Sequence, residues 1–264
     1  MGIGRAALFA LCLLASGLLS IGSAGAAERL LELTPRPNAT LRVLTDQPEG
    51  ALKGSVILLV GGSGILDIDA AGRIGGLGGN QLARSRATYA KAGYAYWLPD
   101  IASDLKPQQG YRFKPEFGTD LGLVVAEARK LGAPVHVVGT SRGAVSMAAL
   151  FNAEAKNLPD SATITSGMLI TYRATAADAL SPSSIRVPVL LLRHRDDGCS
   201  VTPPADAERY AKLLTKAAKV DILTLTGGAE PKGDPCEAQH YHGFWGMDGV
   251  VTQTITGWLD GLKR

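Results

Sequence analysis

The sequence predicts an α/β fold in which a mostly parallel central sheet carries helices on both faces. Three observations lead there. Short apolar runs alternate with longer amphipathic stretches from Leu30 onward. The run at 56–60 is a wholly apolar pentad bounded by Gly54 and Gly61-Gly62. Leu121, Val124, Val125, Ala128 and Leu131 repeat at helical spacing. A strand between two helical layers is buried on both faces, so it needs apolar residues at every position. Composition agrees: with 264 residues, 46% apolar and 19% charged, the chain is not disordered, coiled-coil or collagen-like.

In chain order, residues 1–26 read as a cleaved secretory signal. Arg5 precedes an uncharged run, 6–27, with a Leu-rich centre and an Ala24-Gly25-Ala26 ending. A membrane anchor is the competing reading, because about 20 apolar residues span a bilayer. Interruptions at Ser16-Gly17, Ser20, Gly22-Ser23 and Gly25 favour cleavage, and Cys12 follows Leu11 rather than the small residue a lipoprotein cysteine needs. The expectation is a periplasmic or secreted protein with no membrane span after cleavage. Residues 27–264 then form one domain, since no repeat or low-complexity linker divides them.

Weak apolar runs at 30–33 and 40–44 predict an antiparallel edge. Runs at 56–60, 94–98, 135–138, 168–170, 189–192 and 220–225 predict parallel strands. The 121–131 helix opens near Thr119-Asp120 and closes at Gly132. A small-residue helix follows at 144–155. Pro203-Pro204 suit a helix start, with Tyr210, Leu213, Leu214 and Ala217 on its stripe. Val250, Val251, Ile255, Trp258, Leu259 and Leu262 give a last helix. Two irregular loops, 65–79 and 101–118, follow strands. Ligands of open α/β sheets bind beyond the carboxyl ends of strands, so these loops border the expected site. Tyr111, Phe113 and Phe117 in the second loop are candidate substrate-binding residues.

Charge is nearly balanced, with 27 Lys+Arg against 24 Asp+Glu. No basic cluster exists beyond Arg193-His194-Arg195, so no nucleic-acid partner is expected. Cys199 and Cys236 are the two cysteines after the signal, and an even count in an oxidising compartment predicts one disulfide. The alternatives are two buried thiols, or a zinc site with His240 and His242. Neither CxxC nor HxxxH spacing supports the zinc site, and no metal is expected.

Gly139-Thr140-Ser141-Arg142-Gly143 follows the 135–138 strand and opens a helix. In such an elbow the glycines allow a strained turn, and the serine hydroxyl rises clear of the sheet at a helix N-terminus. A nucleophilic serine needs a base and the base needs an orienting acid, in the chain order Ser, Asp, His. After the 189–192 strand comes His194-Arg195-Asp196-Asp197-Gly198, where Asp197 is favoured over Asp196. After the 220–225 strand comes Gln239-His240-Tyr241-His242-Gly243-Phe244, where His242 is favoured over His240 because Gly243-Phe244 and the last helix follow it. His136 reads as a satisfied core histidine. Gly61-Gly62-Ser63-Gly64 follows the first parallel strand, so the N–H groups of Ser63 and Arg142 are the expected oxyanion donors. A dinucleotide fingerprint would need glycine at Asp67, and a P-loop would need Gly-Lys-Ser/Thr, which is absent.

With these motifs the chain resembles the α/β-hydrolase superfamily, and more narrowly its exported bacterial serine hydrolases. The resemblance rests on Gly79-Asn80 through Arg84-Ser85-Arg86, Pro99-Asp100 to Ser103-Asp104, and the Gly139 to Gly143 elbow. It also rests on Arg195-Asp196-Asp197-Gly198-Cys199 with Val201-Thr202-Pro203-Pro204, and on Asp234-Pro235-Cys236 with His242-Gly243-Phe244. Two departures stand out. Val60-Gly61 replaces a histidine before the oxyanion glycines, and only 171–186 separates the sixth and seventh predicted strands, which leaves no room for a large cap domain. The resemblance implies hydrolysis of a small-molecule ester or thioester through an acyl-enzyme on Ser141, with His242 and Asp197 and without any cofactor. A peptidase or amidase of the same fold, or a non-catalytic binding protein retaining it, are the alternatives.

Overall fold

The computed structural model describes residues 1–2, 28–106, 108–153 and 157–262. The signal predicted at 1–26 lies outside them apart from its first two residues. Eight strands form one sheet: β1 Arg29–Leu33, β2 Leu41–Asp46, β3 Gly54–Leu59, β4 Tyr94–Pro99, β5 Val135–Thr140, β6 Ser161–Thr165, β7 Val189–His194 and β8 Val220–Leu225. Their order is β1-β2-β4-β3-β5-β6-β7-β8. β1 and β2 are the antiparallel edge, and every pair from β4 through β8 is parallel.

The two-residue period of a strand sends alternate side chains to opposite faces. In β3, Val56 and Leu58 enter a core with α1 (Gln81–Lys91) and α6 (Asp248–Gly261), through Leu82, Tyr89, Val251, Ile255 and Leu259. Ile57 and Leu59 enter a second core with α2 (Pro115–Arg129) and α3 (Gly143–Asn152), through Leu121, Val124, Ala144 and Met147. The continuous apolar pentad of the sequence is therefore two half-patterns interleaved.

Three expectations need correction. The sixth strand is Ser161–Thr165, not 168–170: its five residues are all buried and contain three Ser or Thr, so a run written in hydroxyl side chains is hidden from a hydrophobicity reading. Thr is β-branched and packs well on a pleated surface, which explains the preference. Met168 to Ile170 lie in the following loop instead, with Met168 N–H donating to the Ser141 carbonyl. The helix expected to open near Thr119 begins at Pro115, which occupies the first turn where a missing N–H costs nothing. The loop 101–118 is shortened accordingly and holds a 3-10 turn, Tyr111–Phe113.

Helix α1 went unpredicted, since its sequence QLARSRATYAK presents few apolar positions; Asn80 caps it by accepting from Leu82 N–H at 3.2 Å. The connection from β6 to β7 holds only the four-residue α4, Ala176–Ala179, and a 3-10 turn, Pro182–Ser184. No large cap therefore covers the strand ends among the described residues. A further helix, α5 (Asp206–Leu213), starts three residues after Pro203. Among the described residues no helix is long and apolar enough to cross a membrane.

Candidate active site

The carboxyl end of β5 delivers Ser141 into the turn before α3. Its φ is 53°, a left-handed conformation that costs a non-glycine residue roughly 1–3 kcal/mol. Three hydrogen bonds hold the strain: Ser141 N–H donates to the Thr165 carbonyl at 3.0 Å, and the Ser141 carbonyl accepts from Ala144 and Met168 N–H, each at 3.1 Å. The flanking glycines are required by contact. A Cβ on Gly143 would collide with the Leu59 carbonyl, and one on Gly139 would lie 2.6 Å from the Gly143 carbonyl. Gly61 faces the serine from the end of β3: a Cβ there would sit 2.8 Å from Ser141 Cβ.

The loops after β7 and β8 bring the other candidates together. His242 Nδ1 lies 3.0 Å from Asp197 Oδ2, and both side chains are buried. A carboxylate accepts, so Nδ1 carries the proton and Nε2 is left with a lone pair. Asp197 Oδ1 accepts from Cys199 N–H at 2.9 Å, which fixes the carboxylate's orientation. Asp196, one residue earlier, points away and pairs with Arg195 at 3.1 Å on the surface. His240 packs edge-on against Tyr241 and does not meet Asp197. His136 is a core residue, 2.8 Å from Ser161 Oγ. Cys199 and Cys236 form a disulfide with a Cα–Cα distance of 4.5 Å. Their sulfurs are bonded to each other, which removes the zinc alternative and ties the acid loop to the base loop.

Three supports escaped the sequence reading. Thr202 Oγ1 lies 3.0 Å from His242 Nδ1. Arg84 on α1 donates to the carbonyls of Gly243 at 2.7 Å and Ala238 at 3.0 Å while pairing with Asp248, so one guanidinium spans the base loop and the start of α6. His194 is fully buried and stacks on Tyr241 at 4.6 Å, with Nε2 3.0 Å from the Gly227 carbonyl. Arg84 and Thr202 both lay in stretches that carry the family resemblance, Gly79 to Arg86 and Val201 to Pro204, but nothing local marked either of them, or His194, for these contacts.

Two cavities meet at the elbow. The smaller, about 180 Å³, is lined by Ser141, His242, Gly62, Leu77 and Cys236. The larger, about 470 Å³, is lined by Ser63, Arg142, Tyr111, Arg112, Phe113 and Val145, among others. Gly62-Ser63 and Ser141-Arg142 are consecutive pairs split between the two, so the serine lies on the seam. Ser63 and Arg142, the expected oxyanion donors, are thus neighbours of Ser141 on one side. Of the three aromatic candidates, Tyr111 and Phe113 border the larger cavity, and the Tyr111 hydroxyl donates to the Ser63 carbonyl at 2.7 Å. Phe117 does not. It lies in the first turn of α2, 4% exposed, with its ring edge-on to Tyr111 at 4.9 Å, so its place is the core beneath the cavity.

No protein-family model and no curated protein matches the sequence. Solved structures do match the fold. Dienelactone hydrolase from Anabaena variabilis is 15% identical, with a TM-score of 0.62 over 89% of this chain and 98% of that one. A lidless α/β serine hydrolase from Xanthomonas campestris is 16% identical, with a TM-score of 0.58 over 89% and 95%. A monoglyceride lipase from Saccharomyces cerevisiae is 12% identical, with a TM-score of 0.60 over 89% and 95%. At such identities the likeness speaks to architecture, and it agrees with the strand order, the single antiparallel edge and the strained serine turn between β5 and α3: this chain has the α/β-hydrolase fold.

Proposed function

We propose that the protein is an exported serine hydrolase that cleaves an ester or thioester through an acyl-enzyme on Ser141. The observation that carries this reading is the 3.0 Å contact of His242 Nδ1 with Asp197 Oδ2, in a histidine that shares a cavity with a serine held at φ 53°. In the first step His242 Nε2 takes the Ser141 proton as Oγ attacks the carbonyl carbon. Negative charge gathers on the carbonyl oxygen, where the N–H groups of Ser63 and Arg142 would receive it. His242 then returns the proton to the leaving alcohol or thiol, and the acyl group stays on Ser141. Water, deprotonated by His242, attacks that ester, and the carboxylic acid leaves with the serine restored. Asp197 holds the tautomer throughout and stabilises the imidazolium.

Structural neighbours described as esterase, lipase and dienelactone hydrolase support the reaction class. Export to the periplasm or beyond is supported by the uncharged, Leu-rich N-terminal run and by a disulfide, which persists in oxidising compartments. The test is hydrolysis of p-nitrophenyl acetate and butyrate by the mature protein. Turnover should fall by at least about 10³-fold in folded Ser141→Ala. Equal turnover in that variant would remove Ser141 from the mechanism. Mass spectrometry of the N-terminus after secretion should place the cut near Ala26, and a retained N-terminus would contradict export by cleavage.

A further inference from the structure

Arg112 is the buried charge that the proposed reaction leaves unused. The residue is 8% exposed, in the 3-10 turn that walls the larger cavity. Its Nε donates to Ser146 Oγ at 2.8 Å, and its guanidinium lies over the Tyr111 ring, 5.0 Å from the centroid. Nη2 is buried and has no hydrogen-bond partner among the described residues. Other shielded arginines behave differently: Arg36 meets Asp104 and Asp120 at 2.6 Å, and Arg84 meets Asp248 at 2.9 Å. Arg112 has no carboxylate among the described residues, and the nearby Arg142 repels it. Burial lowers its proton affinity, yet a guanidinium stays charged in proteins.

Among the described residues no acidic side chain lines this cavity. Lys106 on its wall is already neutralised by Asp100 at 2.8 Å and Asp67 at 3.0 Å, whereas Arg112 and Arg142 pair with no carboxylate among the described residues. A buried charge without a partner is destabilising, and an incoming anion would relieve it. Gly64 packs directly against this wall, because a Cβ there would overlap the Tyr111 hydroxyl and the Arg112 guanidinium. The volume of about 470 Å³ suits a small organic ligand.

Which half of the substrate enters follows from proton transfer. His242 must reach the leaving oxygen, so the leaving group belongs in the smaller cavity that His242 lines. The acyl chain then points the other way, past Ser63 and Arg142 into the larger one. We propose that the natural acyl group ends in a carboxylate, which Arg112 binds with help from Arg142 while Ile65, Val145 and Phe113 cover the methylene stem. This assignment rests on Ser141 acting as the nucleophile; the anion site itself does not.

The test compares the mono-p-nitrophenyl ester of adipate with p-nitrophenyl hexanoate, after subtraction of spontaneous hydrolysis. One leaving group serves both, so the ratio of kcat/KM reports acyl recognition. Wild-type protein should prefer the adipate half-ester by at least about tenfold, with the preference shrinking in high salt. The ratio should fall toward one in Arg112→Met and stay intermediate in Arg112→Lys. A wild-type ratio at or below one overturns the proposal even if Arg112→Met fails to fold, and so does a folded Arg112→Met that keeps the wild-type ratio. A binding arm separates the two readings: adipate should raise the melting temperature of Ser141→Ala. Binding without hydrolysis of any ester would refute the hydrolase and leave the anion site standing. Cleavage of hexanoate with no shift from adipate would refute the anion site alone. A larger shift from inorganic phosphate than from adipate would overturn the carboxylate assignment.

Discussion

Removing the Cys199–Cys236 bridge should damage stability and catalysis by separable amounts. The bridge closes a loop with a sequence separation of 37 residues, for which chain entropy gives about 4 kcal/mol at 25 °C. In a domain of this size each kcal/mol moves the melting midpoint by about 2–4 °C, so the Cys199→Ser, Cys236→Ser double variant should melt about 8–16 °C lower. The catalytic effect has another origin. Cys199 N–H orients Asp197, and Cys236 lines the cavity that contains Ser141 and His242. Freeing both loops should let the Asp197–His242 pair wander, and a displacement near 1 Å costs about 10²-fold in rate. The assay is kcat on p-nitrophenyl butyrate at 25 °C, far below either midpoint, beside a thermal scan by circular dichroism. Thiol counting on denatured, unreduced wild type should find no free thiol. Full kcat at a lowered midpoint would refute the positioning argument, and an unchanged midpoint would refute the loop-closure estimate.

Other substitutions test single contacts. Gly61→Ala pushes a methyl to 2.8 Å from Ser141 Cβ, so kcat should drop by about 10²-fold in a folded protein; activity within threefold of wild type would contradict the packing of β3 against the elbow. Asp197→Asn should cost on the order of 10⁴ in kcat, whereas surface Asp196→Asn should stay within a few-fold, and a reversed order would reassign the acid. Phe113→Ala should alter acyl chain-length preference at constant midpoint, while core Phe117→Ala should destabilise by about 3–5 kcal/mol by denaturant titration; equal effects on preference would return Phe117 to the cavity wall. Burial lifts the Asp120 carboxyl to about 6 against Arg36's opposing pull. The folded protein therefore holds this proton more tightly than the unfolded chain does. Its contribution to stability is fullest below about pH 4 and is lost as pH rises through 6. Wild type should lose stability relative to Asp120→Asn between pH 4 and 7.5, and a relative gain would contradict the sign.

What the sequence revealed divides along a physical line. Strands whose burial is written in aliphatic residues, such as 56–60 and 189–192, were legible because apolar runs report two-sided burial directly. Ser161–Thr165 was not, because three of its five buried residues carry hydroxyls, of which Ser161 meets the buried His136. The elbow was legible because its Gly-x-Ser-x-Gly spacing is local and follows a strand run, although only Gly139 answers to a neighbour four residues away while Gly143 answers to the Leu59 carbonyl on β3. The acid and base loops were legible from their order after strands, and Asp197, favoured there over Asp196, is the one whose side chain meets His242 while Asp196 pairs with Arg195. Arg84 and Thr202 were opaque for one reason: each meets a partner distant in sequence, 159 residues away for Arg84 and Gly243 and 40 for Thr202 and His242. Phe117 shows the converse error, in which proximity to a loop in sequence suggested a pocket residue while helix α2 turned its ring into the core.

The most direct measurement is covalent labelling of mature wild-type protein with a fluorophosphonate, followed by tryptic mass spectrometry. The account predicts one phosphonyl adduct, on Ser141, blocked by Ser141→Ala and slowed strongly by His242→Ala, with hydrolysis lost in proportion to labelling. Folded wild-type protein that stays unlabelled, or that carries the adduct on another serine while hydrolysis is lost, would contradict it.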